Sequence, residues 1–197
     1  MQPLFVSNQL YALIFAAAYL IWLVPEMIRS FSRRRGAGTN ARDRFSGIIL
    51  IAGIWIGNAV AFNVAFDSPA LAIFWDRTLL FWSGIFLMLA GVAFRWYAIH
   101  VLGQYFSVVI AIQPGHKVVE DGPYRYVRHP SYSGALITLL GIGLVLGNWL
   151  SLLALVFFAV LGYGYRIFVE ERVLQEAFGD SYRDYMKRTK RIIPFVI

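Results

Sequence analysis

Ser131–Phe168 reads SYSGALITLLGIGLVLGNWLSLLALVFFAVLGYGYRIF. Two apolar runs, Ser131–Leu146 and Trp149–Phe168, are separated only by Gly147-Asn148. A break that short returns the second run antiparallel to the first, so the stretch predicts a helical hairpin. Pro130 stands where a helix tolerates proline, in the first turn, and pushes His129 toward extended backbone. The second helix is expected to leave the apolar layer through Glu170, Glu171, Leu174 and Ala177 and to stop at Gly179.

Immediately upstream lies the densest polar segment between long apolar runs, Gly122-Pro-Tyr-Arg-Tyr-Val-Arg-His-Pro-Ser-Tyr-Ser-Gly134. A loop that only joined two helices does not need two arginines, a histidine and three tyrosines. It is read as one wall of a site for a charged cofactor at the membrane surface, with Arg166 and Glu170–Glu171 as the second wall. From Leu102 to Ser131 the chain is broken by Gly103, Pro114, Gly115, Gly122, Pro123 and Pro130, so it is not one helix.

Three further apolar runs precede this region: Gln9–Ile28, Phe45–Phe66 and Thr78–Val101. Each approaches the roughly 20 residues that cross a bilayer. Gly47, Gly53 and Gly57 mark expected close helix packing, and Asn58 and Asn63 are read as interhelical hydrogen-bonding groups. Arg95 is read as snorkelling to headgroups. No cleavable signal is expected, because the first run lacks a basic leader and ends in Pro25-Glu26-Met27.

Composition agrees with a membrane protein. Of 197 residues, 59% are hydrophobic and 15% charged. Soluble domains sit nearer about 45–50% and about 25%. Six Trp, eleven Tyr and sixteen Phe suit interfacial belts. The net charge of +7 falls at the edges of apolar runs, which fits anionic headgroups rather than nucleic acid. Without cysteine there is no disulfide, thiolate metal site or cysteine nucleophile. Of 18 Lys and Arg, only Arg77 falls in a segment assigned to the outer side. The positive-inside rule then puts the N-terminus outside, with the C-terminus and the site cytoplasmic. Together these readings predict an all-α integral membrane protein of about five transmembrane helices. Its cytoplasmic cofactor pocket is built from the loop after the third helix and the C-terminal helices. The chain is read as a single membrane domain, 1–94 supplying N-terminal spans and 95–197 the catalytic half.

Walker, G-x-G-x-x-G, H-E-x-x-H and G-x-S-x-G signatures are absent. The histidines at 100, 116 and 129 are poorly spaced for a metal, and none is expected. Arg128-His129-Pro130-Ser131-Tyr132 suits either a ligand carboxylate or hydroxyl at a helix start, or a capping turn whose arginine grips a headgroup. Arg166 and Glu170 share a helix face, as a surface ion pair or as site residues. Glu171, about 100° further round, is equally suited to hold the helix to the basic loop. Tyr182, Tyr185 and the charges from Lys187 to Arg191 read as an interfacial helix lying on the membrane.

The Gly122–Gly134 block, the hairpin, and then Glu170-Glu171-x-x-Leu174-x-x-x-Phe178-Gly179-x-x-Tyr182-x-x-Tyr185 resemble the isoprenylcysteine carboxyl methyltransferase family, related to phospholipid methyltransferases. The resemblance covers about residues 95–194. It implies an S-adenosylmethionine-dependent methyltransferase without a Rossmann fold, the cofactor closed in by the C-terminal segments and a lipid-facing opening for the acceptor. Carried over, the cofactor contacts are His116, Lys117, Val118, Val119, Tyr124, His129, Pro130, Ser131, Tyr132, Glu170 and Glu171, with Gln113 a further candidate. Arg166 and Glu170 are the implied catalytic residues, Arg166 holding the acceptor. The expected partners are membrane lipids and a lipophilic or lipidated acceptor, methylated at a carboxylate. Within the class an amine or thiol acceptor is the alternative, and outside it a non-enzymatic transporter or assembly protein.

Overall fold

The computed structural model describes residues 2–32, 41–107, 115 and 117–194, without the side chains of 30–32 and 41–44. Its elements are helical throughout. A single turn, α1 (Leu4–Ser7), leads into α2 (Gln9–Ser32), followed by α3 (Ala41–Asp67) and α4 (Arg77–Leu102). After the polar segment come α5 (Pro130–Leu146), α6 (Trp149–Phe178) and a short α7 (Asp180–Arg188).

Within α2, α3, α4 and α6 lie spans long and apolar enough to cross a bilayer. The fifth expected span, α5, has only 17 residues. It rises about 25 Å, short of a hydrocarbon layer of about 30 Å. α5 is also the most enclosed helix: twelve of its residues, from Pro130 to Leu146, are buried. By contrast α6, at 30 residues, rises about 45 Å, so its last turns carry Glu170 and Glu171 beyond the apolar layer. The outer faces of α2, α3 and α6 expose Leu10, Leu13, Ile48, Trp55, Phe157 and Leu161, as hydrocarbon contact requires. The chain is an integral multi-pass membrane protein.

The hairpin forms for the reasons its sequence gives. Gly147 turns left-handed at φ 61°, and its N–H bonds back to the carbonyls of Gly143 and Leu144. Asn148 then caps α6, its Oδ1 accepting from the N–H groups of Leu150 and Ser151. Asn148 Nδ2 also donates to Ser68 O at 2.9 Å, tying the turn to the end of α3. At the other end Gly179, at φ 56°, stops α6.

α4 and α5 form the tightest pair. A Cβ at Gly91 would stand 2.6 Å from Gly134 O, and one at Gly134 2.7 Å from Gly91 O. Gly84 and Gly141 form a second such pair, with Cβ positions 2.7 and 2.6 Å from each other's carbonyl, so small residues let these backbones approach. α3 lies on α6, with a Cβ at Gly57 3.0 Å from Phe158 Cβ. The core joins Phe81 and Met88 of α4, Ile142 and Leu146 of α5 and Leu155 of α6.

Among the described residues, α2 and α3 meet towards their outer ends. Phe15 of α2 stacks on Phe62 of α3, Tyr19 meets the same ring edge-on, and the Tyr19 hydroxyl donates to Asn58 Oδ1 at 3.2 Å. Asn58 is therefore an interhelical group, as read. Asn63 is not: its Nδ2 donates to Ala59 O in its own helix. Inward of Tyr19 a cavity lies between the two helices, lined by Trp22 and Glu26 of α2 and Leu50 and Ile54 of α3.

Candidate functional site

A cavity of about 440 Å³ runs from the polar segment between α2, α3, α4 and α6. At its polar end stand Lys117, His129, Tyr132 and Glu170; its other end is walled by Trp22, Leu23, Leu50 and Ile54.

The polar segment is held by the chain's end. Arg128 N–H donates to Lys190 O at 2.8 Å, His129 N–H to Arg191 O at 3.0 Å, and Lys190 N–H to Tyr126 O at 3.2 Å. Residues 126–129 and 190–191 thus form a short parallel pairing. The Tyr185 hydroxyl donates to Tyr124 O at 2.7 Å. Arg128 Nε donates to Glu171 Oε1 at 2.8 Å, and its Nη1 donates to the carbonyls of Met186 and Thr189, closing the C-terminus of α7. Arg191 reaches the second Glu171 oxygen at 3.1 Å.

These contacts correct three readings. Arg128 does not grip headgroups: its side chain is 7% exposed and internally satisfied. Glu171 does not face the cavity; both its oxygens are taken by arginines on the side of the chain's end. Tyr182 and Tyr185 do not lie on a membrane surface but are buried and line the cavity. Burial raises the phenol pKa of Tyr124, Tyr182 and Tyr185, most for Tyr182 beside Glu171 and Glu170, which keeps all three as neutral donors.

Glu170 faces the cavity. Its Oε2 accepts from the Tyr132 hydroxyl at 2.7 Å, and its side chain remains 26% exposed. The His129 ring stacks on Tyr132, centroids 5.4 Å apart. His129 is 4% exposed; its Nε2 lies 3.5 Å from Glu171 Oε1 without forming a well-aligned hydrogen bond. Arg166, 3% exposed, donates to Ser46 Oγ at 2.8 Å, fixing α6 to α3 beside the cavity. Arg95 does not snorkel either. Its Nε and Nη2 donate to the two Glu26 oxygens at 2.6 and 3.0 Å, and its Nη1 to Ser131 O at 2.8 Å.

Of the residues expected in the site, Lys117, Val118, Val119, Tyr124, His129, Ser131, Tyr132, Arg166 and Glu170 line one cavity. Pro130 is buried at the start of α5 and does not line it, being part of the helix's first turn instead. Gln113 and His116 lie outside the described residues. Sequence reading missed the share of α2 and α3, chiefly Tyr19, Trp22, Glu26 and Ile54. Glu26 carried a usable signal, a carboxylate at the end of an apolar run, which needs a buried partner.

The chain is thus of the class of helical membrane proteins in which a buried charged pocket opens into an apolar cleft. Residues 84–176 match the family model described as "Isoprenylcysteine carboxyl methyltransferase (ICMT) family". A protein-S-isoprenylcysteine O-methyltransferase of Schizosaccharomyces pombe is 44% identical over 98 residues, 48% of this chain and 41% of that protein. A probable protein-S-isoprenylcysteine O-methyltransferase of Oryza sativa subsp. indica is 32% identical over 130 residues, 65% of this chain and 66% of that protein. The matched stretches thus span less than two thirds of these relatives. Among solved structures, the eukaryotic intramembrane Ras methyltransferase ICMT superposes with a TM-score of 0.63 at 23% identity, covering 93% of this chain and 67% of that one. That likeness establishes the fold.

Proposed function

We propose that this chain is an integral membrane methyltransferase that uses S-adenosylmethionine to methylate a carboxylate on a lipophilic acceptor. One observation carries the reading. A single cavity joins a charged end, with Glu170, Lys117 and His129, to an apolar end between α2 and α3, and buried Arg166 lines it. The likeness of residues 84–176 to protein-S-isoprenylcysteine O-methyltransferases supports it.

The donors present suit this cofactor, which brings an electrophilic methyl group on a sulfonium. Glu170 offers a carboxylate to its amine, steadied by the Tyr132 hydroxyl. Lys117 and His129, whose Nδ1 lies 3.8 Å from Glu170 Oε2, suit its carboxylate or ribose. Tyr124 and Tyr182 add neutral donors, and Tyr185 adds an aromatic wall. A carboxylate acceptor is already a nucleophile, so the chain needs no general base, only alignment and exclusion of water. Arg166, which lines the cavity and donates to Ser46 Oγ, brings the planar guanidinium that suits a carboxylate, and in this reading it holds the acceptor's. In this reading residues 95–197 form the catalytic half and α2 and α3 supply the acceptor's apolar wall. The N-terminus lies outside and the cavity's charged end is cytoplasmic.

Calorimetry with S-adenosylhomocysteine on detergent-purified protein tests the reading. Wild type binds, and Glu170→Ala weakens binding at least about tenfold, as loss of a charge-assisted contact does. Arg166→Ala loses methyl transfer far more than cofactor-product binding. Absence of binding by wild type overturns the proposal; transfer to amines or thiols but not to carboxylates overturns the acceptor class.

A further inference from the structure

The apolar end of the cavity has a floor. Along α2 the lining ends at Tyr19 and along α3 at Asn58. There the Tyr19 hydroxyl donates to Asn58 Oδ1 at 3.2 Å, and Asn58 Nδ2 donates to Ile54 O at 2.8 Å. This polar bridge closes the gap between α2 and α3. Outward of it the space is filled: Phe15 is 6% exposed, Ala61 0% and Ala65 1%, and the Tyr19 ring packs on Phe15, Phe62 and Trp22 with centroids 5.2–5.8 Å apart. None of Phe15, Ala61, Phe62 or Ala65 lines the cavity.

We infer that the Tyr19–Asn58 bridge is a tail stop that sets the length of acceptor this protein accepts. The inference rests on the reading that a lipophilic carboxylate enters this cavity with its head at Arg166. From Ser46, which holds the Arg166 guanidinium, to Asn58, α3 rises about 18 Å. That length holds at most about three isoprene units laid extended, and the carboxylate and the side chains at each end take what a fourth would need. A fourth must break the bridge or bend out between α2 and α3. Breaking it exposes Tyr19 and Asn58 polar groups to hydrocarbon without partners, which is why a hydrogen-bonded pair makes a firmer stop than an aliphatic one.

The test uses linear isoprenoid carboxylic acids of two, three and four units, read in two ways: methyl transfer, and calorimetric binding in the presence of S-adenosylhomocysteine. Wild type discriminates against the four-unit acid by about tenfold relative to the three-unit acid, the scale on which apolar pockets reject overlength chains. Tyr19→Leu, which removes the bridge and shortens the floor, abolishes that drop. Ile54→Phe, which fills the arm one turn earlier, moves the drop to between two and three units. S-adenosylhomocysteine affinity, set at the cavity's other end, reports folding of each variant. Should Tyr19→Leu fail to fold, Ile54→Phe still decides. A length profile that is flat in wild type, or unchanged in the folded variants, overturns the stop. A moved binding cut-off without methyl transfer to any acid keeps the stop and overturns the methyltransferase reading; transfer without length dependence does the reverse.

Discussion

Glu170 and Glu171 are neighbours in sequence, yet they answer to different parts of the molecule, and removing Glu171 tests this. Its side chain is 4% exposed and faces Arg128, which is 7% exposed, and Arg191, which is 50% exposed. Glu171→Gln keeps the shape and removes the charge. The Arg191 contact is half in solvent and is worth at most about 1 kcal/mol. The Arg128 contact is different. Stripping one partner from a buried pair costs about 3–5 kcal/mol, because the remaining charge is left in a poor medium. Arg128 retains the carbonyls of Met186 and Thr189, which puts the expected cost near the low end, about 3 kcal/mol. The loss falls on the pairing of residues 126–129 with 190–191 rather than on the helical bundle, so it appears as local opening. At about 1.4 kcal/mol per decade, exchange of the Arg128, His129 and Lys190 amides rises about a hundredfold in native-state hydrogen exchange. The double variant Arg128→Met, Glu171→Met, which removes both charges, recovers most of the protection. A rise below about threefold in Glu171→Gln, with S-adenosylhomocysteine affinity falling as far as in Glu170→Ala, would refute the assignment and return Glu171 to the cofactor site.

Two further predictions concern packing and pH. Gly134→Ala places a Cβ 2.7 Å from the backbone atoms Arg95 N and Gly91 O, which cannot rotate away. It costs at least about 1–3 kcal/mol and lowers the thermal midpoint by several degrees in a scanning-fluorescence assay. Gly164→Ala meets nothing within 4 Å and leaves the midpoint unchanged or slightly raised. The phenols of Tyr124, Tyr182 and Tyr185 are raised from 10.0 by burial. The folded state therefore holds their protons above pH 10 while the unfolded state releases them. Their contribution is full below pH 10, and stability falls as pH rises beyond it. Hydrogen exchange of residues 126–129 accelerates over that alkaline range in wild type, and Tyr182→Phe, which has no proton to lose, shows a weaker acceleration.

The sequence made the C-terminal half legible because its punctuation is local. Gly147-Asn148 can only be a turn between two apolar runs, and Asn148 caps the helix it precedes. Charge bias and span count placed Gly122–Gly134 and Arg166–Glu170 on one side of the membrane, and the structure brings them to one cavity. Legibility failed where a side chain's direction depends on a distant partner. Glu170 and Glu171 differ by about 100° around one helix, and which of them meets the cavity is decided by where Arg191 returns. In α7 the apolar face was readable, but periodicity does not say whether such a face meets lipid or protein. Tyr182 and Tyr185 meet protein because the pairing at Lys190 draws α7 inward.

The N-terminal half reads in sequence only as apolar spans because its chemistry is spread over long separations. Glu26 and Arg95 stand 69 residues apart and are individually ambiguous. Together they form one joint. Arg95 holds the carbonyl of Ser131 in the first turn of α5, directly after His129-Pro130, and Glu26 holds Arg95. Arg29 adds a contact to Glu26 at 3.2 Å and lies over the Trp96 ring. Thus α2, which walls the apolar arm, is fastened to the turn that presents His129 and Tyr132 at the charged end. Such a joint fixes the spacing between the two ends of the cavity, and methyl transfer by alignment depends on that spacing more than on any acid or base. Removing Glu26 leaves Arg95 buried with only one carbonyl, so the damage reaches the charged end although Glu26 belongs to the first long helix.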